Sequence, residues 1–162
     1  MARSKAPRRR KPGGKKAGAA IDFGPLARWI GFNLRMAQEG AFQAFSRLSK
    51  NIGQSPGRFA TLTLIAHNPG ISQTALSLAS GRDKSSMTPV LEDLVRRGLV
   101  QRQRLRDDRR AYRLALTPSG EKVLAEMTQC ARQHERNLER LVGKREVAHF
   151  LRTLRKISSG IV

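Results

Sequence analysis

The sequence predicts a mainly α-helical fold carrying one small β-hairpin. Three observations predict it. Apolar residues recur at three- and four-residue spacing over most of the chain. That spacing changes once, between Leu99 and Leu116, to the two-residue alternation of strands. Capping residues, prolines and glycines fall where helix ends are required.

Residues 1–20 stand apart. They hold eight basic side chains and no acid, with Pro7, Pro12 and the pair Gly13-Gly14. Such a segment cannot bury enough apolar surface to offset its ordering entropy, so it reads as a disordered basic tail. It is either an inert leader or a source of nonspecific phosphate contacts. A long helix is expected over 22–49, capped by Asp22 with Pro25 in its first turn. Its apolar stripe runs from Leu26, Trp29 and Ile30 to Phe45 and Leu48. A second helix starts at Ser55-Pro56, with Phe59, Leu62, Ile65 and Ala66 inward, and ends at Asn68-Pro69-Gly70. Ser72 caps a short third helix with Ala75, Leu76 and Ala79 inward, closed by Gly81. Asp83 caps a fourth, in which Met87, Val90, Leu91, Leu94 and Val95 share one face and Gly98 is the stop.

Leu99-Val100 then open a strand, and Tyr112, Leu114 and Leu116 alternate on its partner around the tip Arg106-Asp107-Asp108-Arg109. Thr117-Pro118 caps a long helix over 118–142, with a seam of Leu124, Met127, Ala131, His134, Leu138 and Leu141. A last helix over about 144–158 carries Val147, Phe150, Leu151, Leu154 and Ile157. The expected organisation is a tail (1–20), a dimerisation helix (21–50), a reading domain (55–117) and C-terminal dimerisation helices (118–162).

Charge narrows the function. The 162 residues carry 32 Lys and Arg against 12 Asp and Glu, a formal +20, of which +12 remains without the tail. A polyanionic partner is the natural reading, since solubility needs far less charge of one sign. With Cys130 alone there is no intrachain disulfide. No apolar run approaches the length of a bilayer span and no signal peptide is legible, so a soluble cytoplasmic protein without membrane contact is expected. His67, His134 and His149 lack ligand spacing, and no phosphate-binding glycine loop lies in the folded part. Neither an enzyme nor a metal or cofactor site is expected.

Three helices followed by a hairpin, with a Gly81 turn between the third and fourth, give a winged helix-turn-helix. Arg82, Lys84, Ser85, Ser86, Thr88 and Pro89 crowd the start of the fourth helix, where base edges of double-stranded DNA would be met. Ser85 and Ser86 could instead merely support the cap. Arg96, Arg97, Arg102, Arg104, Arg106, Arg109, Arg110 and Arg113 surround the hairpin, and arginine suits a narrow minor groove. Asp108 can orient Arg110. A solvated charged loop is the plainer alternative.

At this point the chain resembles the MarR family of bacterial regulators. The resemblance rests on Gly70-Ile71-Ser72-Gln73, Asp83-Lys84-Ser85-Ser86, Leu91-Glu92-Asp93-Leu94, Arg97-Gly98-Leu99-Val100, Asp108-Arg109-Arg110 and Leu116-Thr117-Pro118-Ser119-Gly120. It implies a homodimer with intertwined terminal helices on a palindromic site. It implies major-groove contact by Ser85, Ser86 and Thr88, and wing contact by Asp108, Arg109 and Arg110. It also implies a repressor released by a small aromatic effector, and the wording around Asn68-Pro69-Gly70 resembles the branch governing aromatic-acid catabolism. Candidate lining for an aromatic acid or aromatic acyl-CoA is Arg28, Trp29, Phe32, Arg35, Met36, Phe59 and His67, although Trp29, Phe32 and Phe59 could equally be core. The alternatives are a nonspecific, architectural nucleic-acid binder and a redox-responsive regulator using Cys130.

Overall fold

The computed structural model describes residues 21–104 and 112–160. The chain divides into two compact units, Met1–Arg35 and Met36–Val162.

In the first unit the expected continuous helix is interrupted. A 3-10 turn spans Gly24–Arg28, Trp29 is extended at φ −85° and ψ 127°, and only then does helix α1 (Ile30–Leu48) begin. Pro25 disfavours the helical region for the residue before it, and Gly24 lies at φ +53°, so no helix runs on from Asp22; the break itself falls at Trp29. The N-cap position of the 3-10 turn is Phe23 and not Asp22, whose Oδ1 accepts from the Gly24 amide at 2.8 Å from one residue further out. The Asn33 side chain donates to the carbonyls of Ala27 and Trp29, the latter also accepting the Asn33 amide. The Phe23 and Phe32 rings pack with centroids 5.5 Å apart.

The second unit holds the core. Its helices are α2 (Pro56–His67), α3 (Gln73–Ala79), α4 (Lys84–Arg96), α5 (Pro118–Val142) and α6 (Val147–Gly160). Its strands are β1 (Ile71–Ser72), β2 (Val100–Arg104) and β3 (Tyr112–Leu116). Ser55, Ser72, Asp83 and Thr117 cap α2, α3, α4 and α5, each accepting from a backbone amide three residues on. Leu62, Ile65, Leu76, Met87, Leu91, Leu94, Val100, Leu114 and Met127 are all at most 2% exposed and form one cluster joining every element from α2 to α5 except β1.

Two elements differ from expectation. The hairpin is part of a three-stranded antiparallel sheet of order β1-β3-β2. Two residues carry no legible alternation, yet β1 pairs Ile71 with Leu114 and Ser72 with Arg113. In α3, Leu76 and Ser77 are buried, whereas Ala75 and Ala79 are exposed.

Two glycines are required. Gly98 ends α4 at φ +68°, and the amides of Gly98 and Leu99 bond back to Val95 and Leu94, a Schellman closure that turns the chain into β2. At Gly120 a Cβ would stand 2.0 Å from the Leu99 carbonyl oxygen. The first turn of α5 thus lies directly on the base of the hairpin, held there by Thr117 Oγ1 donating to the Gly98 carbonyl at 2.6 Å.

Candidate nucleic-acid interface and ligand cavity

Helix α4 presents two chemistries. Met87, Leu91 and Leu94 bind it to the core, while Lys84, Ser85, Ser86 and Pro89 at its start are exposed. The exposed serines are held in place. Asp83 accepts from Ser85 Oγ at 2.6 Å, from Ser86 Oγ at 2.8 Å and from the Ser86 amide at 2.7 Å. The Ser85 hydroxyl, then the Ser86 amide and hydroxyl, hold the Asp83 carboxyl well below the usual carboxylate range. Each serine thus spends its only proton on Asp83 and keeps oxygen lone pairs for acceptance from outside. This reconciles the cap and groove readings of Ser85, since capping leaves its acceptor face open.

Thr88 behaves differently. Its hydroxyl donates to the Lys84 carbonyl at 2.9 Å and accepts from Gln73 Nε2 at 2.8 Å. It braces α4 against the start of α3, a contact that sequence spacing could not have indicated across 15 residues. Pro89 lies in the second turn of α4 and has no N–H to give the Ser85 carbonyl. Arg82 occupies the turn before Asp83. Asp108, Arg109 and Arg110 lie outside the described residues, as does the hairpin tip.

Asp93, read only as part of a motif, is a structural centre. It is 8% exposed and pairs with Arg58 of α2 at 2.7 Å, with Arg97 at 2.9 Å and with Arg96. Burial opposes its ionisation, but the Arg97 hydrogen bond and the charges of Arg58 and Arg97 outweigh it and hold the carboxyl below its usual range. Two of the arginines beside the wing are therefore committed to clamping α4.

A cavity of about 450 Å³ opens in the second unit, within the range that holds small ligands. Its aromatic wall is Phe42, Phe45 and Phe59, and its polar groups are Gln38, Arg82, His134 and Glu135. Phe45 and Phe59 stack with centroids 5.5 Å apart, and His134 meets the edge of Phe45 at 5.6 Å. His134 Nδ1 is buried with no hydrogen-bond partner among the described residues. Of the expected lining, Phe59 is here. Met36 and His67 are not, and His67 Nδ1 instead meets the Thr63 carbonyl of its own helix at 2.9 Å. Arg28, Trp29, Phe32 and Arg35 belong to the first unit. Phe45 and His134 were legible as apolar-stripe and seam positions, but a stripe does not tell core from cavity wall, and Phe42 was not singled out. Another cavity of about 410 Å³, lined by residues such as Ile65, Pro69, Leu116 and Leu124, has no aromatic or cationic lining.

The Cys130 thiol is partly buried and donates to the Leu48 carbonyl at 3.3 Å, a packing contact. Among the described residues no group of His, Cys, Asp or Glu could hold a metal ion, and no helix is long and apolar enough to cross a membrane.

Comparison with known proteins agrees with this geometry. The MarR family model matches residues 55–112. Over 152 residues the chain is 34% identical to a protein of Thauera aromatica named as a transcriptional regulatory protein for the hcr operon, covering 91% of this chain and 92% of that one. The transcriptional repressor CouR bound to a 23-mer DNA duplex superposes with a TM-score of 0.80 at 30% identity, over 86% of this chain and 99% of CouR. CouR bound to p-coumaroyl-CoA superposes with a TM-score of 0.78 at 29% identity, over 86% and 98%.

Proposed function

The chain belongs to the MarR family, and from that premise we propose that it is a homodimeric transcriptional repressor, not an enzyme, that acts on chromosomal DNA in the cytoplasm. It binds a palindromic duplex operator and leaves it when an aromatic acid or aromatic acyl-CoA enters the cavity beside Phe45 and Phe59. The observation that carries the reading is the start of α4, where Asp83 fixes two exposed serine hydroxyls on a helix whose far end leads into the hairpin. Ser85 and Ser86 are assigned to base edges in the major groove, Lys84 and Arg82 to phosphates, and Thr88 and Pro89 to shaping that turn. Asp108, Arg109 and Arg110 are assigned to the minor groove. CouR supports both halves of the proposal, since it is known bound to a DNA duplex and bound to p-coumaroyl-CoA.

Residues 55–117 form the proposed reading domain, with 21–50 and 118–162 serving dimerisation. The apolar residues of α6 support this, because none of them is buried within one chain and Phe150 and Leu151 are exposed. Leu141, at the end of the α5 seam, is 84% exposed. Isolated helices with such faces are covered in stable proteins, and a second copy would do so.

The test is selection of a duplex by the protein from a random library. Its affinity at physiological salt is then compared with that of a scrambled duplex. A ratio of about 10³ or more is expected. Equal affinities would instead support the architectural reading that the +20 charge favours.

A further inference from the structure

We infer that Arg82 is the residue through which an anionic effector in the aromatic cavity acts on the reading helix. The inference rests on the repressor reading and adds the group that couples its two sites. Arg82 belongs to both of them. Its backbone immediately precedes Asp83, the cap that organises Ser85 and Ser86. Its side chain turns the other way, lining the cavity with Phe42, Phe45, Phe59 and His134. The guanidinium rests over the first turn of α2, so close that a Cβ on Gly57 would be 2.6 Å from Nη2.

Among the described residues Arg82 is also a cation without a counter-ion. The ion pairs among the described residues all belong to Asp93, and Glu135, which shares the cavity, makes none with Arg82. A guanidinium beside an aromatic wall, near the unpartnered His134 Nδ1, suits a ligand with an aromatic ring and an anionic part. The anion is either the carboxylate of a free acid or a phosphate of an acyl-CoA. One guanidinium cannot serve that anion and a DNA phosphate at once. Holding it in the cavity also fixes the residue that leads into Asp83. By linkage, the ligand weakens DNA binding by the factor by which DNA weakens ligand binding.

Gly57→Ala is the sharpest perturbation. The added methyl meets only the movable end of Arg82 at that distance, so it unseats the guanidinium without touching the core. The full-length protein, its selected duplex and three probes are used: p-coumarate, its uncharged methyl ester and p-coumaroyl-CoA. In the wild type, p-coumarate or p-coumaroyl-CoA should weaken duplex binding by roughly tenfold or more, and the ester should not. In Gly57→Ala, ligand-free duplex affinity should stay within about twofold while release falls below about threefold. Arg82→Ala should lose release as well, and Arg82→Lys should recover part of it. Whichever charged probe acts identifies the source of the anion. Wild-type release that persists undiminished in both Gly57→Ala and Arg82→Ala overturns the inference alone. A wild-type duplex affinity that no probe moves overturns the effector reading and the inference together.

Discussion

Replacing Asp93 by asparagine keeps the shape of the clamp between α2 and α4 and removes its charge. Three arginines then lose a carboxylate, but not equally. The side chains of Arg96 and Arg97 are 75% and 45% exposed, so water screens most of their gain and each contributes only a few tenths of a kcal/mol. Arg58 is 28% exposed and faces an Asp93 side chain that is 11% exposed, so that pair carries most of the effect. Breaking a fully buried pair costs about 3–5 kcal/mol. With partial exposure and an amide oxygen still able to accept, about 2 kcal/mol is expected, a fall in Tm of roughly 4–8 °C. The pH dependence has a definite sign. Because the folded pKa of Asp93 is lowered, its stabilisation is complete above the unfolded value of about 4 and is lost as pH falls through the folded value. Thermal unfolding of wild type and Asp93→Asn, followed by circular dichroism across pH, should show the full gap at pH 7 and a narrowing gap in acid. A variant melting within about 1 °C of wild type at pH 7, or a gap that stays constant into acid, would refute the clamp.

Gly120→Ala should destabilise by about 3 kcal/mol or more, because its Cβ would need over 1 Å of relief from the Leu99 backbone, and the wing base should loosen with it. Hydrogen exchange at β2 and β3 is the readout. Ser85→Ala with Ser86→Ala should cut operator affinity at least tenfold while scrambled-duplex affinity barely moves. Equal losses on both duplexes would show that the serines do not read bases. Asp83→Ala removes the cap that aims both serines, so its specificity loss should match theirs and its Tm should also fall. Arg110→Ala should weaken operator and scrambled DNA alike and lower the log–log salt slope by roughly 0.9.

Most elements were legible because the signals that make them are local. Ser55-Pro56, Ser72, Asp83 and Thr117-Pro118 each cap a helix from within four residues, and Gly98 closes α4 through its own backbone. The apolar face of α4 and the Leu114 strand position followed from periodicity alone. The first helix reads as continuous in the sequence because the apolar stripe passes through Trp29 without any sign of the extended backbone at which the chain breaks. The sequence by itself therefore determined a mainly helical chain with one hairpin and a serine-bearing helix behind a capping aspartate. Only the tertiary structure decided which of those residues meet. It paired Asp93 with Arg58 across two helices, laid Gly120 on Leu99, and made a cavity of Phe42, Phe45, Phe59 and His134 from three separate helices. It also brought Arg82 over Gly57. Such contacts arise between elements distant in sequence, where helical spacing names the face of each helix but not what that face will touch.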